Sequence, residues 1–231
     1  DRICMAEMMK SASFKEDLPL DPVMDGWVKG AFFAAYALGQ VPAGYLAVRF
    51  GARSLMSIYI LLWSAFTVMT GFAGGVVTLL IARIGCGFAE AGAYPISSGL
   101  LARWSQWNKR GFTSSVVSLG GRIGGAVAPW LTVIVIMNFG DWRWAGWIYG
   151  GVGLFFAAFF WKVFRENPQT HPLTNEAERE LLAAGRPVGE NSASDRNYRF
   201  PWRIALTHRS LWMNCLTQFF TNLGWVFLAM W

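Results

Sequence analysis

Arg83 and Glu90 lie seven residues apart in an otherwise apolar stretch, two turns of a helix, which puts them on one face about 10 Å apart along the axis. An ionisable side chain at the centre of a membrane helix costs about 2.5 to 3.5 kcal/mol on insertion scales, so such residues are read first as functional. Together they can line one cavity, where they are candidates for proton coupling; the same spacing also suits a structural pair tying helices together. Arg122 interrupts the small-residue run Gly120-Gly121-Arg122-Ile123-Gly124-Gly125 and offers a second carboxylate contact, with an interfacial or paired arginine as the alternative. The glycines around it are expected to let helices approach closely or slide. Gln218 and Asn222, four apart, share a helix face suited to polyol hydrogen bonds or to interhelical contacts.

These residues need a membrane bundle to position them. Of 231 residues, 54% are hydrophobic and 15% charged, against about 25% charged in an ordinary soluble domain. Thirteen Trp and eighteen Phe, many near the ends of apolar runs, suit the headgroup zone. A crossing helix needs about 20 mainly apolar residues. Windows of that kind run from Gly26 to Leu46, Leu55 to Ala73, Val76 to Leu101, Gly111 to Met137 and Trp144 to Phe164. The tail of a first helix precedes them near Asp1 to Met9, and Leu211 to Trp231 begins a seventh. The expected organisation is therefore a bundle over 1–164, a linker over 165–210 and the start of another bundle over 211–231, all-α and polytopic. The abrupt opening at Asp1 and the stop inside an apolar run are expected of the amino-terminal half of a longer protein.

Loop charges orient the bundle. Arg49 and Arg53, then Arg103, Lys109 and Arg110, then Lys162 and Arg165 follow alternate spans and are expected in the cytoplasm, as is the long linker. The formal charge of +6 is thus spread over loops, not gathered on one solvated face as nucleic-acid binding would require. Within the linker, Asn175 with Glu178 fits a helix cap, and Pro201 to Leu206 reads as an interfacial segment. Asp141 and Arg143 read as an outer turn flanked by interfacial tryptophans. Cys4, Cys86 and Cys215 are scattered in apolar surroundings, and His171 and His208 lack ligand spacing, so neither a metal nor another cofactor is expected. No nucleophile, base and orienter set marks an enzyme.

The stretch GYLAVRFGARS between the second and third helices resembles the signature loop of the major facilitator superfamily, whose members pair two bundles of six helices. Gly44, Arg49, Gly51 and Arg53 match that gating loop, while Val48 stands where the signature has an acid. Asp1-Arg2, AFFAAYALGQVPAG, RIGCGFAEAGAYP, GGRIGGAVAP, Gly140 to Arg143, and Gln218 with Asn222 together resemble the anion:cation symporter family, which includes sugar-acid transporters and sialin. The resemblance implies that Arg2 contacts the substrate carboxylate, that Tyr36 faces the substrate, and that Glu90 takes up protons alongside Asp1. It implies alternating-access symport of a small organic anion, such as a hexonate or hexuronate, with a proton, or sodium in its place. The setting it implies is the plasma membrane of a bacterium, the inner membrane, with the full-length protein a monomer in the lipid bilayer. A transporter-like membrane sensor or scaffold without productive transport is the alternative, and Val48 is the feature that favours it.

Overall fold

The computed structural model describes residues 2–184 and 206–230, and among these every regular element is helical. Asp1 and the expected interfacial segment from Pro201 lie, wholly or mostly, outside the described residues. In chain order the helices are α1 (Arg2–Lys10), α2 (Ala12–Asp17), α3 (Pro22–Phe50), α4 (Ala52–Gly71), α5 (Val76–Ala91), α6 (Ala93–Trp104), α7 (Arg110–Phe139), α8 (Arg143–Val163), α9 (Glu176–Ala183) and α10 (Arg209–Met230). Two compact units divide between residues 196 and 197, so α1 to α9 form one and α10 belongs to the other. Five stretches are long and apolar enough to cross a bilayer: Pro22–Phe50, Ala52–Gly71, Val76–Trp104, Trp107–Phe139 and Arg143–Val163.

Helix limits follow local chemistry. Asp21 caps α3 by accepting from the Met24 N–H at 2.6 Å, and Pro22 fills the first helical position, where no N–H is needed. At the other end Gly51 has φ of 86°, a conformation that favours glycine, and its N–H bonds to the Ala47 carbonyl before α4 begins. The apolar span from Val76 breaks at Gly92. Pro95 has no N–H for the Ala91 carbonyl and its ring crowds that group, so α5 ends just past Glu90 and α6 restarts. Asn175 caps α9 through the Glu178 N–H at 2.8 Å, as its spacing suggests.

The packing inverts the soluble pattern. Buried positions include Ala35, Ala43, Ala82, Ala89, Ser64 and Thr67, whereas Leu38, Val41, Leu61 and Phe155 are exposed on the outside. Lipid solvates large apolar groups, so small residues take the contacts where backbones approach. α4 runs along α8, α3 along α5, α4 also against α5, and α1 against α7. A Cβ on Gly87 would lie 2.4 Å from the Phe32 carbonyl oxygen, and one on Gly150 would lie 2.3 Å from a Val68 methyl. Buried hydroxyls bond within their own helix, Ser64 to the Ile60 carbonyl, Thr70 to Phe66 and Thr132 to Ala128.

Two expectations change. The glycine run around Arg122 is not a helix contact among the described residues: nothing lies near Gly120, Gly121 or Gly124, and Gly125 meets only an Ile3 methyl at 3.4 Å. α7 turns other positions, such as Thr132, toward α8 and leaves this face open. The outer turn is also more deeply built than a headgroup belt. Trp142 is 0% exposed, packs edge-on against Phe14 at 4.8 Å and donates its indole N–H to Asp17. The reason is α2, which folds over this end of the bundle and brings both partners with it.

Candidate functional site

The close approach of α3 to α5 and the seating of α1 beside them assemble the charged centre. Arg2, at the start of α1, meets Glu90 near the end of α5: its Nε and Nη2 lie 2.9 and 2.8 Å from the same carboxylate oxygen, Oε1. The pair is partly covered, with side chains 33% and 17% exposed. The second oxygen of Glu90, Oε2, is buried and has no hydrogen-bond partner among the described residues.

Three rings of α3 wall in the guanidinium. Its central carbon lies 4.2 Å from the Tyr36 ring centre, 5.3 Å from Phe32 and 5.9 Å from Phe33. An aromatic face attracts a cation without neutralising it, so Arg2 is oriented while its N–H groups stay available to an anion. Tyr36 therefore stands beside Arg2. Phe32 stacks on Tyr36 at 6.2 Å and also lies 5.8 Å from Arg83.

Arg83 is 2% exposed. Its Nη2 donates to the Thr70 hydroxyl at 3.3 Å and approaches the Cys86 sulfur at 3.5 Å, which joins α5 to α4. Arg83 and Glu90 thus share a helix but meet different neighbours. Arg122 is exposed on α7, one turn before Gly125, which meets Ile3 of α1 next to Arg2. Gln218 and Asn222 are exposed on α10, in the other unit, and Asp1 lies outside the described residues.

The signature-loop residues lie around the junction of α3 and α4, beside α6 and the end of α8. Gly44 faces Pro95 of α6, and Arg49 lies exposed beside the Phe50 ring. Arg53 donates to the Trp161 carbonyl and stacks 4.3 Å from that indole. Sequence reasoning missed Phe32, Phe33 and Thr70 as neighbours of the arginines, although Phe32 and Tyr36 are four apart on one face. It also missed Glu166, which sits among the basic residues of this end and bonds to Arg103 at 2.5 Å.

Among the described residues, no group of three or more His, Cys, Asp or Glu is placed to hold a metal ion. The chain is 30% identical to a probable sulfoacetate transporter of Cupriavidus necator over 93% of its own length and 49% of the relative's. It is 32% identical to a probable galactarate/D-glucarate transporter of Escherichia coli, covering 82% of this chain and 43% of that protein. A galacturonate transporter of Dickeya chrysanthemi is 27% identical over 92% of this chain and 61% of its own length. The chain spans about half the length of the first two relatives, and all three are named as transporters rather than enzymes. Five apolar helices and these relatives make it an integral membrane protein. Residues 5–231 match the Major Facilitator Superfamily, and the chain belongs to that superfamily.

Proposed function

We propose that the full-length protein is a secondary active transporter that carries a small organic anion, such as a hexonate or hexuronate, together with a proton by alternating access. One observation carries this reading: Arg2 is held on a single oxygen of Glu90, and the other oxygen is buried with no hydrogen-bond partner among the described residues. A carboxylate with one strong counter-charge and one unpaired oxygen is poised to exchange that counter-charge for a proton. An incoming substrate carboxylate competes for the Arg2 guanidinium, whose planar fork matches it. Glu90 then loses its partner in a partly dry site and accepts a proton on the freed carboxylate. The exchange is reciprocal, since protonation of Glu90 releases Arg2 for the anion.

Tyr36, through its hydroxyl, and Arg122, Gln218 and Asn222 are proposed as further substrate contacts, with Asp1 and Arg83 assisting the proton step. The relatives named for sulfoacetate, galactarate/D-glucarate and galacturonate support an organic acid as the cargo. The proposed setting is a bacterial inner membrane with the linker in the cytoplasm, the full-length protein acting as a monomer. The test is radiolabelled uptake by the full-length protein in energised vesicles across a pH series. Acid-stimulated accumulation that Glu90→Gln abolishes, while anion exchange persists, is the expected result. Sodium-dependent accumulation indifferent to pH overturns proton coupling, and ligand binding without accumulation favours a sensor.

A further inference from the structure

Glu7 is the first charged residue after Arg2 on α1, and the exchange between Arg2 and Glu90 makes no use of it. The buried side of this helix is Cys4, Met5, Met8 and Met9, and the side left open carries Arg2, Ala6, Glu7 and Lys10. From Arg2 to Glu7 the helix rises about 7.5 Å. That is close to the length of an extended hexonate chain. A ligand with its carboxylate on Arg2 and its chain running along α1 toward α2 brings its far end to Glu7.

The first charge met by that far end is negative. Lys10 lies 2.8 Å from Glu7 Oε1, but the lysine side chain is 70% exposed and the glutamate 21%. Water screens the ammonium more than the carboxylate, and Lys10 stands almost a further turn from Arg2. Lys29 of α3, one turn before Phe33, is held by Asp25 at 2.6 Å. Arg122 lies at the other end of the ligand path. α1 and α7 both run toward the end that α2 covers, and Arg122 comes one turn before the Gly125 that meets Ile3, which puts it away from Glu7. A carboxylate accepts hydrogen bonds from hydroxyls and repels a second carboxylate, so one group both attracts a polyol end and excludes an acid end.

We infer that Glu7 determines specificity: it accepts hydrogen bonds from the hydroxyl end of a substrate anchored on Arg2, and so selects sugar acids with one acid group over those with two. This rests on the transport reading and narrows the substrate class of the same site.

The experiment uses the full-length protein in vesicles at about pH 7, with membrane amounts matched and labelled gluconate as the probe. Gluconate and glucarate share a carbon skeleton and differ at the terminal carbon, an alcohol in the first and a carboxylate in the second. Unlabelled glucarate is expected to inhibit uptake about tenfold or more weakly than unlabelled gluconate, the penalty of bringing a like charge to a half-buried carboxylate. Glu7→Gln keeps the size and the hydrogen-bonding capacity, so the ratio should fall to about twofold, with the gluconate KM changed less than about twofold. Lys10→Ala removes the screening charge and should widen the ratio. A merely structural role for Glu7 would weaken both acids alike. A second readout does not need transport: gluconate should protect the purified full-length protein from heat more than an equal concentration of glucarate does, and Glu7→Gln should level the two. Glucarate competing as well as gluconate in the parent overturns the proposal, as does a preference that Glu7→Gln leaves intact, and in both cases the measured uptake keeps the transport reading. Absence of uptake in the parent counts against the transport reading and leaves the heat-stability arm to decide, where protection by neither acid overturns the role of Glu7.

Discussion

Single side chains at this site act through what they leave open. Arg2 has a counter-ion and three aromatic neighbours, yet its side chain remains a third exposed, and one oxygen of Glu90 has no hydrogen-bond partner among the described residues. Arg2→Lys preserves the charge and removes the planar fork, so apparent KM in an uptake assay should rise about tenfold or more with the pH profile retained. At the other end, Asp17 accepts from Arg143 and from the Trp142 indole, and these hydrogen bonds hold its carboxyl below the usual aspartate range. A carboxyl depressed in the folded state stabilises it fully above the unfolded value of about 3.9 and loses that contribution as pH falls through the folded value. Thermal unfolding in detergent should therefore separate the parent from Asp17→Asn by a constant margin between about pH 7 and 5, and the margin should shrink as the pH falls below about 4.

At the scale of elements, contact depends on where side chains are missing. The Gly87 site is closed by the Phe32 carbonyl, so Gly87→Val should force α3 from α5 at a cost of about 1 to 3 kcal/mol, read as a lowered unfolding temperature. Gly151 on α8 has nothing within 4 Å, and Gly151→Ala should stay within about 0.5 kcal/mol of the parent in the same measurement. The contrast matters for function because Phe32 also faces both arginines, so α3 displacement moves their aromatic wall. The break at Gly92 has a related effect. It ends α5 one residue after Glu90, so that α6 and α5 meet as separate rods between the charged centre and the basic loops.

Across the bundle, the charged centre draws on α1, α3 and α5, whereas Glu166 pairs with Arg103 where α6 ends. Composition and apolar run length were enough to locate five spans, because a bilayer demands a run of about 20 apolar residues wherever a helix crosses. Residue type also marked Arg83 and Glu90, since few charges are tolerated in such runs. Pairing was beyond its reach. That Glu90 meets Arg2 while Arg83 meets Thr70 depends on α1 and α4 approaching α5 from different sides, and helix periodicity fixes a face without naming what lies opposite. The glycines of α7 read like those of α3 and α5 for the same reason: a missing side chain permits contact, and only the tertiary arrangement decides where a partner arrives.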